Sequence, residues 1–400
     1  MQLENNYIYI PACSVGAYGI ACTTNKRFLN NLPLRYYTTE MDSRLYHPWF
    51  LATAGHFYKK ENYRELLGAD EKSIILGDSG GYQIATGAIQ FDEKMLHTIF
   101  HWLEENSTIA MNLDIPPRMK MKGKFDECLE LSYKNYKYFE KNQTGKTKFL
   151  NILHGDGDLK SYQKWYNKVK GMDFQGWAIG GNSNWKLIVM TLAVLANDKE
   201  HLNLRNEFFH ILGRSRVSDI FLICRIQKII NDLNSNMTIT TDSSTPSIST
   251  AFGNYFYGFD LNNDAFKMLT FPRSSGNSKN VNAPLEVSNC DCLNTNAYTN
   301  RLFRNYSPTE MGSFKSEHYA AMAVQNFTIF LDAFKFSEKL ANSDDYFIRE
   351  ILGPKRFKLM KIIDAILTDE NPLKVYAKYE PVLDQLSPPM PTDFAENTFF

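Results

Sequence analysis

The sequence predicts an α/β fold, a TIM (β/α)8 barrel with a C-terminal subdomain and trailing helices, on three observations. Short apolar runs alternate with longer amphipathic stretches through the central region, six such units occur in order, and every run ends in an acid, a histidine or a glycine-containing turn. A parallel partner strand needs a crossover of about a dozen residues, so the alternation itself implies a parallel sheet. An open doubly wound sheet is the competitor. It gathers its site at one switch point, whereas a barrel collects groups from several strand ends on one rim, and the repeated polar strand ends favour the barrel.

The strand candidates are Ser73–Gly77 ending at Asp78, Thr108–Leu113 at Asp114, Lys148–Leu153 at His154, and Gly176–Ile179 at Gly180-Gly181. Phe208–Leu212 ends at Gly213 and Met237–Thr241 at Asp242. Tyr7–Ala12 and Leu34–Thr38 are available as the remaining two strands. Helical spacing marks Glu93–Glu105, Asp126–Glu140, Leu159–Lys170, Lys186–Ala196 and Val217–Leu233. In the last of these Ile220, Ile223, Ile226, Ile230 and Leu233 recur three or four apart. The stretch Asn254–Ala283, rich in Asn, Ser, Gly and Phe, reads as an irregular insertion. A long helix over Ser316–Lys339, two shorter ones over Tyr346–Leu352 and Arg356–Leu367, and an extended Pro388–Pro391 tail complete the chain. The expected organisation is a barrel domain over 1–340, with a Cys/His subdomain near 285–320, and a helical extension over 341–400.

A length of 400 residues and a 44% hydrophobic content supply a large core, and the formal net charge of zero excludes a globally basic nucleic-acid binder. Contact with a polyanion must therefore come from a local patch. Cys13, Cys22, Cys128 and Cys224 are scattered singly, as reduced core thiols are, and only Cys290 and Cys292 cluster. The N-terminus lacks a signal-peptide pattern, and no run approaches the roughly 18 apolar residues of a membrane span. A cytoplasmic enzyme is the expectation.

Asp78, Asp114 and Asp242 all sit at strand ends. Each alone reads as a helix cap or turn former. Three on one rim suit glycosidic chemistry, where one carboxylate attacks the electron-deficient sugar carbon and another handles the leaving-group proton. Gly80-Gly81 and Gly180-Gly181 clear side chains where backbone approaches a ligand, and Tyr82 and Leu212 offer two faces to a flat base.

Asp78-Ser79-Gly80-Gly81-Tyr82-Gln83 resembles the signature of the tRNA-guanine transglycosylase superfamily, and the order that follows is similar too: Asp114, His154-Gly155, Gly180-Gly181, His210–Gly213, then Asp242. Cys290, Cys292 and His318 resemble the family's structural zinc motif. The resemblance spans roughly residues 70 to 340. It implies a modified TIM barrel that exchanges bases, with Asp242 attacking C1′ and holding the sugar covalently while Asp78 acts as general acid/base. It further implies Asp114 accepting from the base, Gly180 and Gly181 amides binding it, Tyr82 stacking on it, and Ser79, Gly80, Gly81 and Leu212 lining the pocket. The incoming base is a 7-deazaguanine, of the preQ0 or queuosine-precursor type.

Departures from the family pattern redirect the substrate. His154-Gly155-Asp156 replaces a Gln-Gly-Gly turn, leaving a histidine to donate to the base carbonyl. Thr295 stands where the third zinc cysteine belongs, so the zinc set is incomplete. After Asp242 the segment Ser243–Ile248 carries no Arg or Lys, and none occurs before Lys267, where tRNA-reading members place basic residues. These features are similar to the phage and genomic-island branch that inserts 7-deazaguanines into DNA. DNA is thus the expected partner, tRNA the alternative, and a homodimer is compatible with the resemblance. Arg118, Lys120, Lys122 and Lys124 are candidate phosphate contacts, and Tyr46–Tyr58 forms either an aromatic wall facing substrate or a buried strand pair. Two rival classes are a non-catalytic nucleic-acid-binding barrel or partner subunit, which the three intact acids argue against, and an unrelated glycoside hydrolase barrel, which the Gly-Gly turns and Tyr82 fit less well.

Overall fold

The computed structural model describes residues 7–12, 27–28, 32–33, 35–40, 46–118, 121–180, 184–198, 207–214, 217–233, 235–246, 249, 255–260, 267–271 and 316–386. Eight parallel strands form one sheet: β1 Ile8–Pro11, β2 Trp49–Thr53, β3 Ile74–Asp78, β4 Ile109–Met111, β5 Lys148–Leu153, β6 Gly176–Ile179, β7 Phe208–Ile211 and β8 Thr238–Ser243. Each strand pairs with its neighbour in the chain, β8 pairs with β1, and a bridge between Ala12 and Leu51 joins β1 to β2 and closes the ring. The chain is a (β/α)8 barrel.

Seven of the eight strands lie where apolar runs place them. The second does not. Leu34–Thr38 has strand-like composition, yet the described part of it is turn, and Trp49–Thr53 takes the place in the barrel. Tyr36 and Tyr37 are wholly buried in that turn, Tyr37 donating to the Leu67 carbonyl and Tyr36 packing on Phe327. Aromatic content alone does not distinguish a strand from a turn that is covered by other elements. Tyr46–Tyr58 accordingly holds one barrel strand and the short helix α1 Ala54–Phe57, rather than a strand pair.

The remaining helices are α2 Tyr63–Leu67, α3 Gly81–Thr86, α4 Glu93–Asn106, α5 Phe125–Asn142, α6 Leu159–Val169, α7 Trp185–Ala196 and α8 Val217–Asp232, then α9 Ser316–Ala341, α10 Asp345–Thr368 and α11 Pro372–Leu386. Side-chain caps start α4, α6, α7 and α10, where Asp92, Asp158, Asn184 and Asp344 each accept from the backbone N–H three residues on; such a cap contributes about 1 kcal/mol.

Two apolar clusters follow from the strand pleat. Ile10, Leu51, Leu76, Met111, Ile152, Ala178 and their neighbours fill the barrel, and a larger cluster packs strands against helices. Helix α7 is apolar on nearly all sides, which a surface helix does not tolerate. Helices α10 and α11 pack over it, so it is an interior element. The two short helices expected near the C-terminus are the two halves of α10, which the non-helical backbone of Gly353, at a φ of 70° and just before Pro354, separates by a kink. Helix α11 was not anticipated; its internal Pro381 weakens the helical pattern, and packing against α7 offsets that.

Ion pairs fasten this C-terminal layer to the barrel. Lys186 meets Asp384 at 2.7 Å, and Arg225 on α8 forks onto Asp364 at 3.1 and 2.9 Å while reaching the Ala341 carbonyl at 3.3 Å. Arg225→Met leaves the half-buried Asp364 with only the longer Lys361 ion pair at 3.6 Å and is expected to cost about 2 kcal/mol in urea unfolding. Adding Asp364→Leu should recover part of that loss; no recovery would mean that packing, not the charge pair, carries the attachment.

Candidate active site

The carboxyl ends of the strands bring Asp78, Asp114 and Asp242 to one rim. None is a helix cap. Asp114 and Asp242 draw partners from other rim segments, and Asp78 from its own turn and from β2.

Asp78 ends β3, beside Thr53 of β2 in register. Its Oδ1 accepts from the Gly80 N–H at 3.2 Å, and the Thr53 side chain is a further hydrogen-bond partner. Burial, reinforced by the charges of Asp114 and Asp242, pushes its carboxyl up to about 6 against these hydrogen bonds. The charges of Asp114 and Asp242 therefore reach Asp78 across the mouth of the barrel.

Asp114 follows β4 in a buried segment, and the His154 Nε2 at the end of β5 lies 2.5 Å from its Oδ2. The histidine expected to face a base carbonyl is instead engaged by the acid expected to read the base. The His154 ring also packs edge-on against Trp165, 5.1 Å between centroids. A Cβ on Gly180 would lie 3.1 Å from His154 Cε1, so the glycine leaves room for that imidazole.

Asp242 lies near the end of β8, partly exposed. Its Oδ1 accepts from the Gly213 N–H at 2.7 Å, and the wholly buried His210 places Nε2 3.3 Å from the same oxygen. Leu212, between them, is partly buried against the barrel interior.

The Gly80-Gly81 turn opens α3. Gly80 has a φ of 84°, which favours glycine, and its backbone approaches Gly55. A Cβ on Gly81 would stand 2.4 Å from Asp114 Oδ1 and 2.7 Å from its carbonyl oxygen. These glycines let two rim segments close on each other, rather than clearing space for a ligand alone. Gly81→Ala must push Asp114 aside and is expected to cost about 1 to 3 kcal/mol in urea unfolding; an unchanged midpoint would show that the Asp114 segment yields without cost.

Ser79 is buried and donates to the Asn112 carbonyl at 3.0 Å, tying β3 to the segment after β4. Tyr82 is 41% exposed on the first turn of α3, its ring open to a stacking partner. Arg118, a candidate phosphate contact, donates to the Gly180 carbonyl at 3.4 Å and so bridges two rim loops, whereas Lys122 and Lys124 are exposed. Lys120, Gly181, Cys290, Cys292 and Thr295 lie outside the described residues, as does the side chain of His318, although its backbone is in α9. The order of motifs does not reveal Thr53, Gly213 or the role of His210. The His-x-Leu-Gly spacing of His210–Gly213 is a sign of the last two, and nothing in the sequence marks Thr53. Among the described residues no helix is long and apolar enough to cross a membrane.

No family model matches the chain, and no curated protein matches it.

Proposed function

We propose that the chain is a base-exchange transglycosylase that replaces guanine in DNA with a 7-deazaguanine through a covalent Asp242 intermediate. The observation that carries the reading is the division of roles among three acids on one rim. Asp78 is held up to about 6, near neutral pH, where a general acid/base works best. Asp242 and Asp114 each have donors of their own, from Gly213 and His154.

In the first half-reaction an Asp242 oxygen forms a bond to C1′ as the bond from C1′ to the base breaks. The bonding pair leaves with guanine, and a ring nitrogen of guanine takes the proton of Asp78. In the second half Asp78 accepts the proton of the incoming base, whose freed nitrogen attacks C1′ and releases the Asp242 carboxylate. Asp114 accepts from the Watson–Crick edge of either base, and the exposed Tyr82 ring stacks on it. The target nucleotide must leave its helix stack, at a cost of a few kcal/mol in duplex.

DNA rather than tRNA is supported by the residues after Asp242. Ser243 Oγ accepts from the Thr245 N–H at 2.8 Å and lies 2.7 Å from the Thr245 hydroxyl, forming a neutral turn where a phosphate-reading segment would need basic groups. The test is exchange of labelled guanine by the purified full-length chain into duplex DNA, single-stranded DNA and tRNA. Label should enter DNA. Preference for tRNA would overturn the DNA assignment, and no label or adduct with any of the three would overturn the transglycosylase reading.

A further inference from the structure

Barrel interiors are filled by apolar side chains, and here the middle of the barrel holds Ile10, Leu51, Leu76, Met111, Ile152 and Ala178. His210 breaks that pattern. It stands on β7 opposite Thr240 of β8 and Ala178 of β6, one pleat above Phe208 and one below Leu212, with no exposed surface. Its Nδ1 lies 2.8 Å from the Thr240 hydroxyl. Its Nε2 is buried without a hydrogen-bond partner, yet only 3.3 Å from Asp242 Oδ1 and off the line of a hydrogen bond. A buried, unpartnered nitrogen costs about 1 to 3 kcal/mol, so its position beneath the acid needs a reason.

Two neutral proton arrangements fit Thr240. If Nδ1 carries the proton and donates to the threonine oxygen, the Nε2 lone pair faces a carboxylate at 3.3 Å in a buried space, which is repulsive. If the Thr240 hydroxyl donates to Nδ1, Nε2 carries the proton and points it at Asp242. We infer that His210 is a positioning residue for the nucleophile: its Nε2–H is a second donor to Asp242 Oδ1 beside the Gly213 N–H, held in that tautomer by Thr240. The inference rests on the reading of Asp242 as the nucleophile. With Oδ1 gripped by two donors, Oδ2, which has no hydrogen-bond partner among the described residues, is the oxygen that bonds to C1′.

The test pairs a spectroscopic with a kinetic readout. Nitrogen NMR of the full-length chain carrying isotope-labelled histidine, assigned by comparison with His210→Gln, should show His210 protonated at Nε2 and unprotonated at Nδ1. The opposite tautomer overturns the inference. In the exchange assay His210→Leu should lower kcat about 10- to 100-fold with KM for the base changed less than about two-fold, and His210→Gln, which keeps a donor, should recover most of the loss. Equal kcat in all three chains overturns it; should the leucine variant fail to fold, the tautomer and the glutamine variant against wild type decide. A wild-type chain with the Nε2–H tautomer but neither exchange nor adduct overturns the transglycosylase reading and leaves the His210–Asp242 pairing standing.

Discussion

Asp242→Ala is expected to abolish the covalent protein–nucleic acid adduct and to lower base exchange by about 10⁴- to 10⁶-fold, the scale on which covalent enzymes lose turnover without their nucleophile. The fold should tolerate the change. Asp242 is partly exposed, and the Gly213 N–H that donates to it belongs to an exposed residue, so water replaces the lost acceptor. Loss of activity with an unchanged unfolding midpoint would then report chemistry rather than collapse of the site. Asp242→Asn is the sharper comparison, because its amide oxygen keeps the acceptor for Gly213 while lacking the charge that the proposed attack on C1′ requires. An adduct that survives Asp242→Ala, seen as protein retained on denaturing gels with labelled oligonucleotide, would place the nucleophile elsewhere.

Asp78→Asn is expected to have the second largest effect, a fall of about 10²- to 10⁴-fold, the range that general acid/base catalysis supplies. Because burial and the charges of Asp114 and Asp242 raise Asp78 to about 6, the wild-type rate should change with pH around that value, and the asparagine variant should lose that limb of the profile. A limb that persists in Asp78→Asn would assign the proton to another group. Stability should move the other way. An acid whose folded pKa is raised favours the folded state while protonated, so its ionisation increasingly destabilises the fold as pH climbs from about 4 through about 6. Asparagine never ionises. Above pH 6 the variant should therefore be more stable than wild type, by at most about 3 kcal/mol, and at pH 4 the gain should vanish. Urea unfolding at the two pH values measures this directly. A dead but stabilised enzyme is the behaviour expected of a residue kept in a costly environment for its chemistry.

Most of the barrel was legible because strands buried on both faces read as continuous apolar runs, and six of them stand out between amphipathic helices. The second strand was not, because Trp49–Thr53 and the Tyr36-Tyr37 turn are equally aromatic, and only the cover from Phe327 and Leu67 separates them. Helix α11 was hidden by Pro381 for a similar reason. At the site, the three acids were visible as strand ends. Ser79 and Arg118 looked like ligand contacts by position, and the structure shows each bonded to a neighbouring segment, Ser79 to Asn112 and Arg118 to Gly180.

By itself the sequence determined that acids would gather on one rim, since strand periodicity and crossover length leave the chain few other arrangements. What it could not determine is which acid holds a proton. That depends on donors from distant segments: His154 is 40 residues from Asp114, and Gly213 is 29 from Asp242. Electrostatic energies in a buried site vary steeply with distance and burial. Only the closed barrel, which buries Asp78 and brings the charges of Asp114 and Asp242 to bear on it, sets the protonation of Asp78.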